Sequence, residues 1–256
     1  MWLRLRQIAL VADRLEPVEA ALIDVLDLAV CYRDPAVATF GLENALFPVG
    51  NQFLEVVAPT EANTAAGRYL ERRGGPGGYM VIHQCDDHVP RKRRIAELGV
   101  RTVFDRDMDE YSLMQLHPKD TGGSFLEIDE QRGTRAHEPD GPWHPAGPDW
   151  WAGRRTDRVE RIAAAEIQAA EPREVAKRWA EITEIALSST PEGDPQLILD
   201  NATLRFVPCL DERPEGLGGI DLRCTDRVAI LAAAGRHDAV TGDNQITLCG
   251  MRMNLL

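Results

Sequence analysis

Two glutamates at the ends of two short apolar strands are the residues of this chain whose type and spacing best suit chemistry. Glu55 lies in the segment Phe53–Val57, and Glu127 lies in the segment Phe125–Asp129. Glycine precedes both segments by a few residues. Two carboxylates brought together by a repeated scaffold can bind a divalent metal or serve as an acid and a base. The sequence therefore predicts one shared pocket in which Glu55 and Glu127 are the catalytic residues.

The bulk composition excludes several classes of protein. The chain has 256 residues, 44% of them hydrophobic and 27% charged, which is enough for two modest domains. A net charge of -12 argues against a nucleic-acid or anionic-membrane partner. Five scattered cysteines without a CxxC pair indicate reduced thiols. No apolar stretch is long enough to span a bilayer, and arginines interrupt the N-terminal apolar run, unlike a signal peptide. We therefore expect a cytoplasmic protein, a monomer or homodimer, whose partner is a small-molecule substrate or ligand.

The order of apolar and turn signals repeats along the chain. Each repeat is typical of a strand, a helix and three more strands, a βαβββ module. The first module includes a helix opened by Pro17 and a strand at Ala38–Leu42. The second restarts after a glycine-rich joint, with Asp87 as the helix N-cap and Gly99 after the helix end. Two shorter repeats follow, so the sequence predicts an α+β fold in which four βαβββ modules pair into two open half-barrel domains.

The predicted domains are 1–131, with two modules, and 158–256, a second and degenerate pair. Residues 132–157 form a connector rich in proline and tryptophan. Its prolines recur every third residue, which favours an extended polyproline II path. Its three tryptophans indicate that it packs across a domain surface. The prolines of the repeat are Pro139, Pro142, Pro145 and Pro148.

Four segments give the chain a resemblance to the vicinal oxygen chelate superfamily, the glyoxalase, bleomycin-resistance and extradiol-dioxygenase fold. These segments are Gln7–Ala12, Gly50–Val57, Gly78–Asp87 and Gly122–Ile128. The stretch His117–Gly123 looks like that of methylmalonyl-CoA epimerases and their near relatives. The likeness is good over residues 6–130 and weaker over 158–256. It implies an open cup made by two modules, in which a divalent metal (Zn, Mn, Mg or Fe) stabilises an enolate or a related oxyanion.

In that superfamily the first and last strand of each module supply one metal ligand each. The corresponding residues of this chain are Gln7, Glu55, Met80 and Glu127. Both carboxylates are present, and both usual histidines are replaced. Because an amide oxygen is a poor ligand and a thioether is poorer for a hard ion, the resemblance implies a weak site made by Glu55, Glu127 and Gln7, or no metal at all. The substrate-binding residues predicted for the same cup are Gln7, Phe47, Phe53, Met80, Gln84 and His117.

Strand alternation decides which residues share the cup face. It places Met80 and Gln84 on that face and His83 on the helix face, although a one-residue slip would make His83 a candidate ligand. In the second half the corresponding ligand positions hold no good ligand, which favours a structural role. Arg205 at one of them could instead hold an anionic group. The four positions are Ile162, Arg205, Gly219 and Asn254.

Three functions are compatible with this pattern. The first is a glyoxalase-like lyase or isomerase that acts next to a carbonyl of a small, largely apolar substrate. The alternative is a metal-free binding protein of the bleomycin-resistance type, which the loss of both histidines favours. An extradiol dioxygenase is less favoured, because its Fe²⁺ needs two histidines and a carboxylate.

Overall fold

The computed structural model describes the whole chain, Met1–Leu256, as a mixed α/β fold built on two open sheets. No helix is long and apolar enough to cross a membrane. Residues up to 131 form β1 (Leu3–Val11), α1 (Leu15–Leu26), β2 (Leu42–Val49), β3 (Gln52–Pro59), α2 (Ala65–Arg73), β4 (Gly77–Cys85), α3 (His88–Glu97), β5 (Thr102–Asp107), β6 (Tyr111–Leu116), α4 (Pro118–Thr121) and β7 (Phe125–Gln131). The rest forms β8 (Val159–Gln168), α5 (Pro172–Thr183), β9 (Leu187–Ser189), β10 (Pro195–Ile198), β11 (Thr203–Val207), β12 (Gly216–Cys224), α6 (Arg227–Gly235), β13 (Val240–Gly242), β14 (Gln245–Leu248) and β15 (Met251–Leu255).

The strand orders confirm the predicted fold class. The seven-stranded sheet runs β2-β3-β1-β4-β7-β6-β5, and the eight-stranded sheet runs β13-β14-β15-β12-β8-β11-β10-β9. Within a module, the first strand pairs in parallel with the last, as in β4 with β7, β8 with β11 and β12 with β15. The remaining strands of each module continue the sheet as antiparallel neighbours.

The first module departs from the predicted βαβββ plan. Residues Ala38–Leu42 were expected to form a strand, and that prediction is wrong. A 3₁₀ helix, Pro35–Phe40, occupies most of this segment, because the Asp34 side chain accepts a hydrogen bond from the Ala36 amide and Pro35 fixes the first turn. The short helix α2, capped by Thr64, was not predicted.

The chain divides by its internal contacts into two compact units. Unit one contains Met1–Gln7, Tyr79–His144 and Ala164–Gly218, so it holds the second and third modules. Unit two contains Ile8–Gly78, Pro145–Ala163 and Gly219–Leu256, so it holds most of the first module and the fourth. The domain boundaries at 131 and 158 stay a prediction.

Local sequence signals account for several elements. Asp87 caps α3 by accepting a hydrogen bond from the Val89 amide, and Gly99 follows the helix at φ 63°, as predicted. Pro172 opens α5, whose buried face includes Trp179, and the Trp179 ring packs edge-on against Phe206 of β11 at 5.5 Å. Gly50 turns the β2–β3 hairpin at φ 64°, where a Cβ would lie 2.3 Å from the Glu160 carbonyl oxygen.

The connector does not follow a polyproline II path. It forms turns and two 3₁₀ helices, His144–Ala146 and Trp150–Gly153. The prediction failed because side chains far away in sequence determine its path, as described below. Trp143 and Trp150 are each only 1% exposed, so this segment packs against the protein as its tryptophans indicated.

Candidate active site

One face of the sheet in unit one carries three of the predicted site residues, Met80, Gln84 and Glu127. Glu127 on β7 lies directly opposite Ile82 on β4 and Gln115 on β6. Because side chains alternate along a strand, the residues two positions away share this face. We call this surface the Glu127 face, and its members are Met80, Ile82, Gln84, Tyr111, Leu113, Gln115, Phe125, Glu127 and Asp129.

A pair of buried carboxyl groups lies at the centre of the Glu127 face. Glu127 is 5% exposed, and Asp129, two residues further along β7, is 0% exposed. The Tyr111 hydroxyl donates a hydrogen bond of 2.5 Å to Asp129 Oδ2. Burial is the main cause that raises the pKa of Asp129 well above its ordinary value, and the adjacent Glu127 carboxyl adds to the rise both by charge and by a hydrogen bond. Two carboxyl groups this close favour a state in which they share one proton.

Aromatic residues of the connector close the Tyr111 end of this face. The Trp143 ring packs edge-on against Tyr111 at 5.6 Å, and the His144 ring stacks on Tyr111 at 5.0 Å. Trp143 Nε1 donates a hydrogen bond of 2.8 Å to Gln7 Oε1. The amide oxygen that was predicted to bind a metal or substrate therefore accepts a bond from the connector.

Gln84, another predicted binding residue, is held in a network with Arg4. Its Oε1 accepts two hydrogen bonds from the Arg4 guanidinium, at 3.1 and 2.8 Å, and its Nε2 donates to the Ala136 carbonyl. Gln84 is fully buried. Desolvation lowers the pKa of Arg4 to about 10. These contacts give Gln84 a positioning role at the base of the Glu127 face.

The other predicted carboxylate, Glu55, belongs to unit two. It is 8% exposed, and its Oε1 accepts a hydrogen bond of 2.6 Å from Asn44 Nδ2. Phe53 shares its face of β3, and the Phe53 ring packs edge-on against Trp150 at 5.1 Å. Phe47 was expected on that face as well, and this prediction is wrong. The β2–β3 register pairs Phe47 with Leu54, which puts it on the opposite side of the sheet from Glu55.

The two histidines near the site have local structural contacts. His83 lies on the helix face, as predicted from alternation, where its ring packs against Trp179 and its Nδ1 bonds with the Glu127 carbonyl oxygen at 3.1 Å. Desolvation lowers its pKa to about 4. His117 caps α4, with Nδ1 accepting a hydrogen bond from the Lys119 amide. A contact between His117 and substrate stays a prediction.

The donor set does not fit the metal centre that the superfamily resemblance implies. The Gln7 oxygen accepts the Trp143 N–H, and Met80 offers only a thioether. Nowhere does the chain bring together three or more His, Cys, Asp or Glu side chains that could hold a metal ion. The carboxyl groups of the site are therefore the candidate reactive groups.

Two of the corresponding positions of the second half have a carboxylate partner. Arg205, which the repeat aligns with Glu55 as a last-strand position, lies directly opposite Glu166 on β8 and forms an ion pair with it at 3.2 Å. In unit two, Asn254, at the position aligned with Glu127, lies opposite Asp221 and donates a hydrogen bond to it at 2.8 Å. The structural role of the second half stays a prediction.

Sequence reasoning missed three members of the site, which are Asp129, Tyr111 and Trp143. Asp129 was detectable, because a residue two positions after Glu127 on a strand must share its face. Tyr111 depends on the β6–β7 register, and Trp143 depends on the path of the connector. Neither of these leaves a local signal in the sequence.

A comparison with one solved structure supports the fold. The whole chain resembles the crystal structure of a hypothetical protein from Staphylococcus aureus, with a TM-score of 0.69, 12% identity, and coverage of 100% of this chain and 99% of that chain. Methylmalonyl-CoA epimerase from Mycobacterium tuberculosis matches 52% of this chain and 90% of its own, at 23% identity and a TM-score of 0.45. A variant of the Streptomyces coelicolor methylmalonyl-CoA epimerase, in complex with 2-nitronate-propionyl-CoA, matches 51% of this chain and 98% of its own, at 19% identity and a TM-score of 0.46. No family model matches the sequence, and no curated protein matches it significantly.

Proposed function

We propose that this protein is a glyoxalase-like isomerase or lyase that moves a proton at the carbon next to a carbonyl of a small, largely apolar substrate. The observation that carries the proposal is the buried pair of Glu127 and Asp129. A carboxylate in an apolar environment is a stronger base than one in water, because desolvation disfavours its charge. The neighbours of Glu127 on its face include Met80, Ile82 and Phe125, which suit an apolar substrate.

Each of the two carboxyl groups has a separate role in this proposal. Glu127 is the base and takes the proton from the α-carbon, so that the carboxylate becomes a carboxylic acid and the substrate becomes an enolate. Transfer of the proton from Glu127 to another atom of the enolate restores the carboxylate and completes an isomerisation. When the Glu127 proton first exchanges with solvent, its return to the same carbon replaces the α-hydrogen by one from solvent. Asp129 holds the shared proton and is itself oriented by the Tyr111 hydroxyl. Because Asp129 stays protonated, Glu127 carries the charge that accepts the proton.

The Glu55 carboxylate of unit two remains a second predicted catalytic residue. Its hydrogen bond with Asn44 holds the carboxylate in place, which suits a charge that orients substrate.

The experiment is proton exchange in D₂O, followed by loss of the α-hydrogen signal in NMR spectra. The probes are short acyl thioesters of N-acetylcysteamine and short 2-oxo acids, whose α-hydrogens are acidic enough to exchange. We expect the protein to accelerate exchange of at least one class above the buffer rate. We expect the rate to survive dialysis against EDTA, because no step depends on a metal.

The bleomycin-resistance type of binding protein is the second candidate, favoured by the Trp143–Gln7 bond that occupies a family ligand position. Saturable binding of a probe with no exchange of any probe would support this candidate and contradict the enzymatic one. Exchange that disappears with EDTA and returns with one metal ion would instead show that the carboxyl groups act through a metal.

A further inference from the structure

The connector segment 133–144, which we call the strap, is fastened to unit one by two buried arginines of β1. The Arg4 guanidinium donates to the carbonyl oxygens of Ala136, His137 and Glu138, at 3.4, 3.2 and 3.0 Å. Arg6 donates to the carbonyl oxygens of Pro139 and Gly141, at 2.5 and 2.9 Å. The two arginines are 7% and 1% exposed. Five bonds from buried guanidinium groups make the strap a fixed wall rather than a mobile loop.

Trp143 is the strap residue that packs against the Glu127 face. Its indole N–H bonds with Gln7, its ring packs on Tyr111, and the Arg6 guanidinium lies 5.5 Å from the centre of its ring. At 1% exposure, Trp143 is almost completely buried beside Tyr111.

Burial along the Glu127 face changes from one end to the other. At the strap end, Gln84, Tyr111 and Asp129 are at most 1% exposed. On β7 the order along this face is Phe125, Glu127, Asp129. Phe125 is only half-buried, and so is Gln115, which lies directly opposite Glu127 on β6. The face is therefore more open on the Phe125 and Gln115 side of Glu127 than on the side of Asp129 and the strap.

We propose that Trp143 sets the length of the substrate's reacting end. The inference rests on the proposed function and assigns a substrate class. The acyl part that carries the α-carbon is short, because Trp143 packs behind Tyr111 and keeps the Asp129 side of Glu127 closed. The larger remainder of the bound substrate extends toward Gln115 and Phe125. Trp143 is thus a specificity-determining residue supplied by the connector rather than by the sheet.

The test uses straight-chain acyl thioesters of N-acetylcysteamine, from propanoyl to octanoyl, with binding measured by calorimetry and exchange measured by NMR in D₂O. The wild-type protein is expected to bind the short members and to lose affinity as the chain lengthens. Trp143→Ala is expected to reverse this trend, with affinity rising about fourfold for each methylene that enters the vacated space. Trp143→Phe, which keeps most of the bulk, is expected to shift the preferred length less. Trp151→Ala is the matched control, because Trp151 is 54% exposed and belongs to the same connector.

The outcomes separate this inference from the proposed function. One outcome is that Trp143→Ala changes how affinity depends on acyl-chain length while no variant exchanges any probe. That result supports the role of Trp143 in setting substrate length and overturns the enzymatic proposal. Exchange by all variants with an unchanged length profile overturns the role of Trp143 and leaves the enzymatic proposal intact. If neither the wild-type protein nor Trp143→Ala binds any member, the inference is overturned as well. Thermal unfolding of each variant checks the fold, and Trp143→Phe decides the question if Trp143→Ala does not fold.

Discussion

The last strands of the second and third modules, β7 and β11, lie in the same unit and use equivalent positions for opposite electrostatics. On β7, Glu127 has a second buried carboxyl, Asp129, as its neighbour, and the pKa of Asp129 is raised. On β11, Arg205 replaces the glutamate and pairs with Glu166 across the sheet. A like-charged pair is costly to keep ionised, whereas an ion pair satisfies both of its members. The second module therefore has two adjacent buried carboxyl groups that can react, whereas the third module has an ion pair that stabilises the fold.

The largest expected effect is on catalysis at β7. Glu127→Gln removes the proposed base without changing the shape of the side chain, so we expect the rate of α-proton exchange to fall about 10²- to 10⁴-fold. Arg205→Gln is the matched change on β11 and should leave the exchange rate within about twofold. Initial rates by NMR, with the folded fraction checked by circular dichroism, measure both. Equal losses in the two variants would contradict the assignment of chemistry to β7.

The next effect is on stability at β11. Arg205→Ala removes the ion-pair partner of Glu166, whose side chain is only 9% exposed. Because Arg205 itself is 21% exposed, solvent screens part of the loss, and we expect the free energy of unfolding to fall by about 1–2 kcal/mol. Urea unfolding measures this change. The double variant Glu166→Gln/Arg205→Gln, which replaces the ions by two amides, should recover most of the loss; a double variant as unstable as Arg205→Ala would show that the pair's charges are not the cause.

A third effect is the pH dependence of stability that Asp129 causes. Its pKa is raised in the folded state above the ordinary value of 3.8, so the folded chain keeps a proton that the unfolded chain releases. The stability due to this group is present at low pH and is lost as the pH rises through the folded pKa, by at most about 1.4 kcal/mol per pH unit.

Asp129→Asn cannot ionise and should remove this downward slope above the ordinary pKa of 3.8, as measured by urea unfolding at several pH values. His83, whose pKa is lowered to about 4, produces the opposite slope between its ordinary 6.5 and 4. That contribution is common to both proteins and cancels in their difference. Glu166→Gln on β11 is the control and should leave the slope in place. A slope that persists in Asp129→Asn would assign it to another group.

Local signals predicted the parts of the fold that short stretches of chain determine by themselves. The cap at Asp87, the turn at Gly50 and the position of Glu127 on a short apolar strand all belong to this class. The alternation of β4 also placed Met80 and Gln84 with Glu127 and turned His83 away.

Long-range contacts explain what the sequence did not reveal. The strap follows the guanidinium groups of Arg4 and Arg6, more than 130 positions away, and not the spacing of its own prolines. Phe47 was misplaced because its side of the sheet depends on the β2–β3 register, which a single strand does not disclose. The Tyr111 hydroxyl reaches the Asp129 carboxyl through the β6–β7 register, which the sequence of neither strand discloses.

The hydrogen bonds that hold the strap determine which of its residues can vary during evolution. Arg4 and Arg6 recognise main-chain carbonyl groups, which every amino acid carries, so most strap side chains can be replaced without loosening the attachment. Gly141 is an exception, because a Cβ there would lie 2.1 Å from the Arg135 carbonyl oxygen. Related chains can therefore vary most strap residues while the attachment persists, whereas a change at the buried position 143 must be matched at Gln7 and Tyr111, which Trp143 contacts.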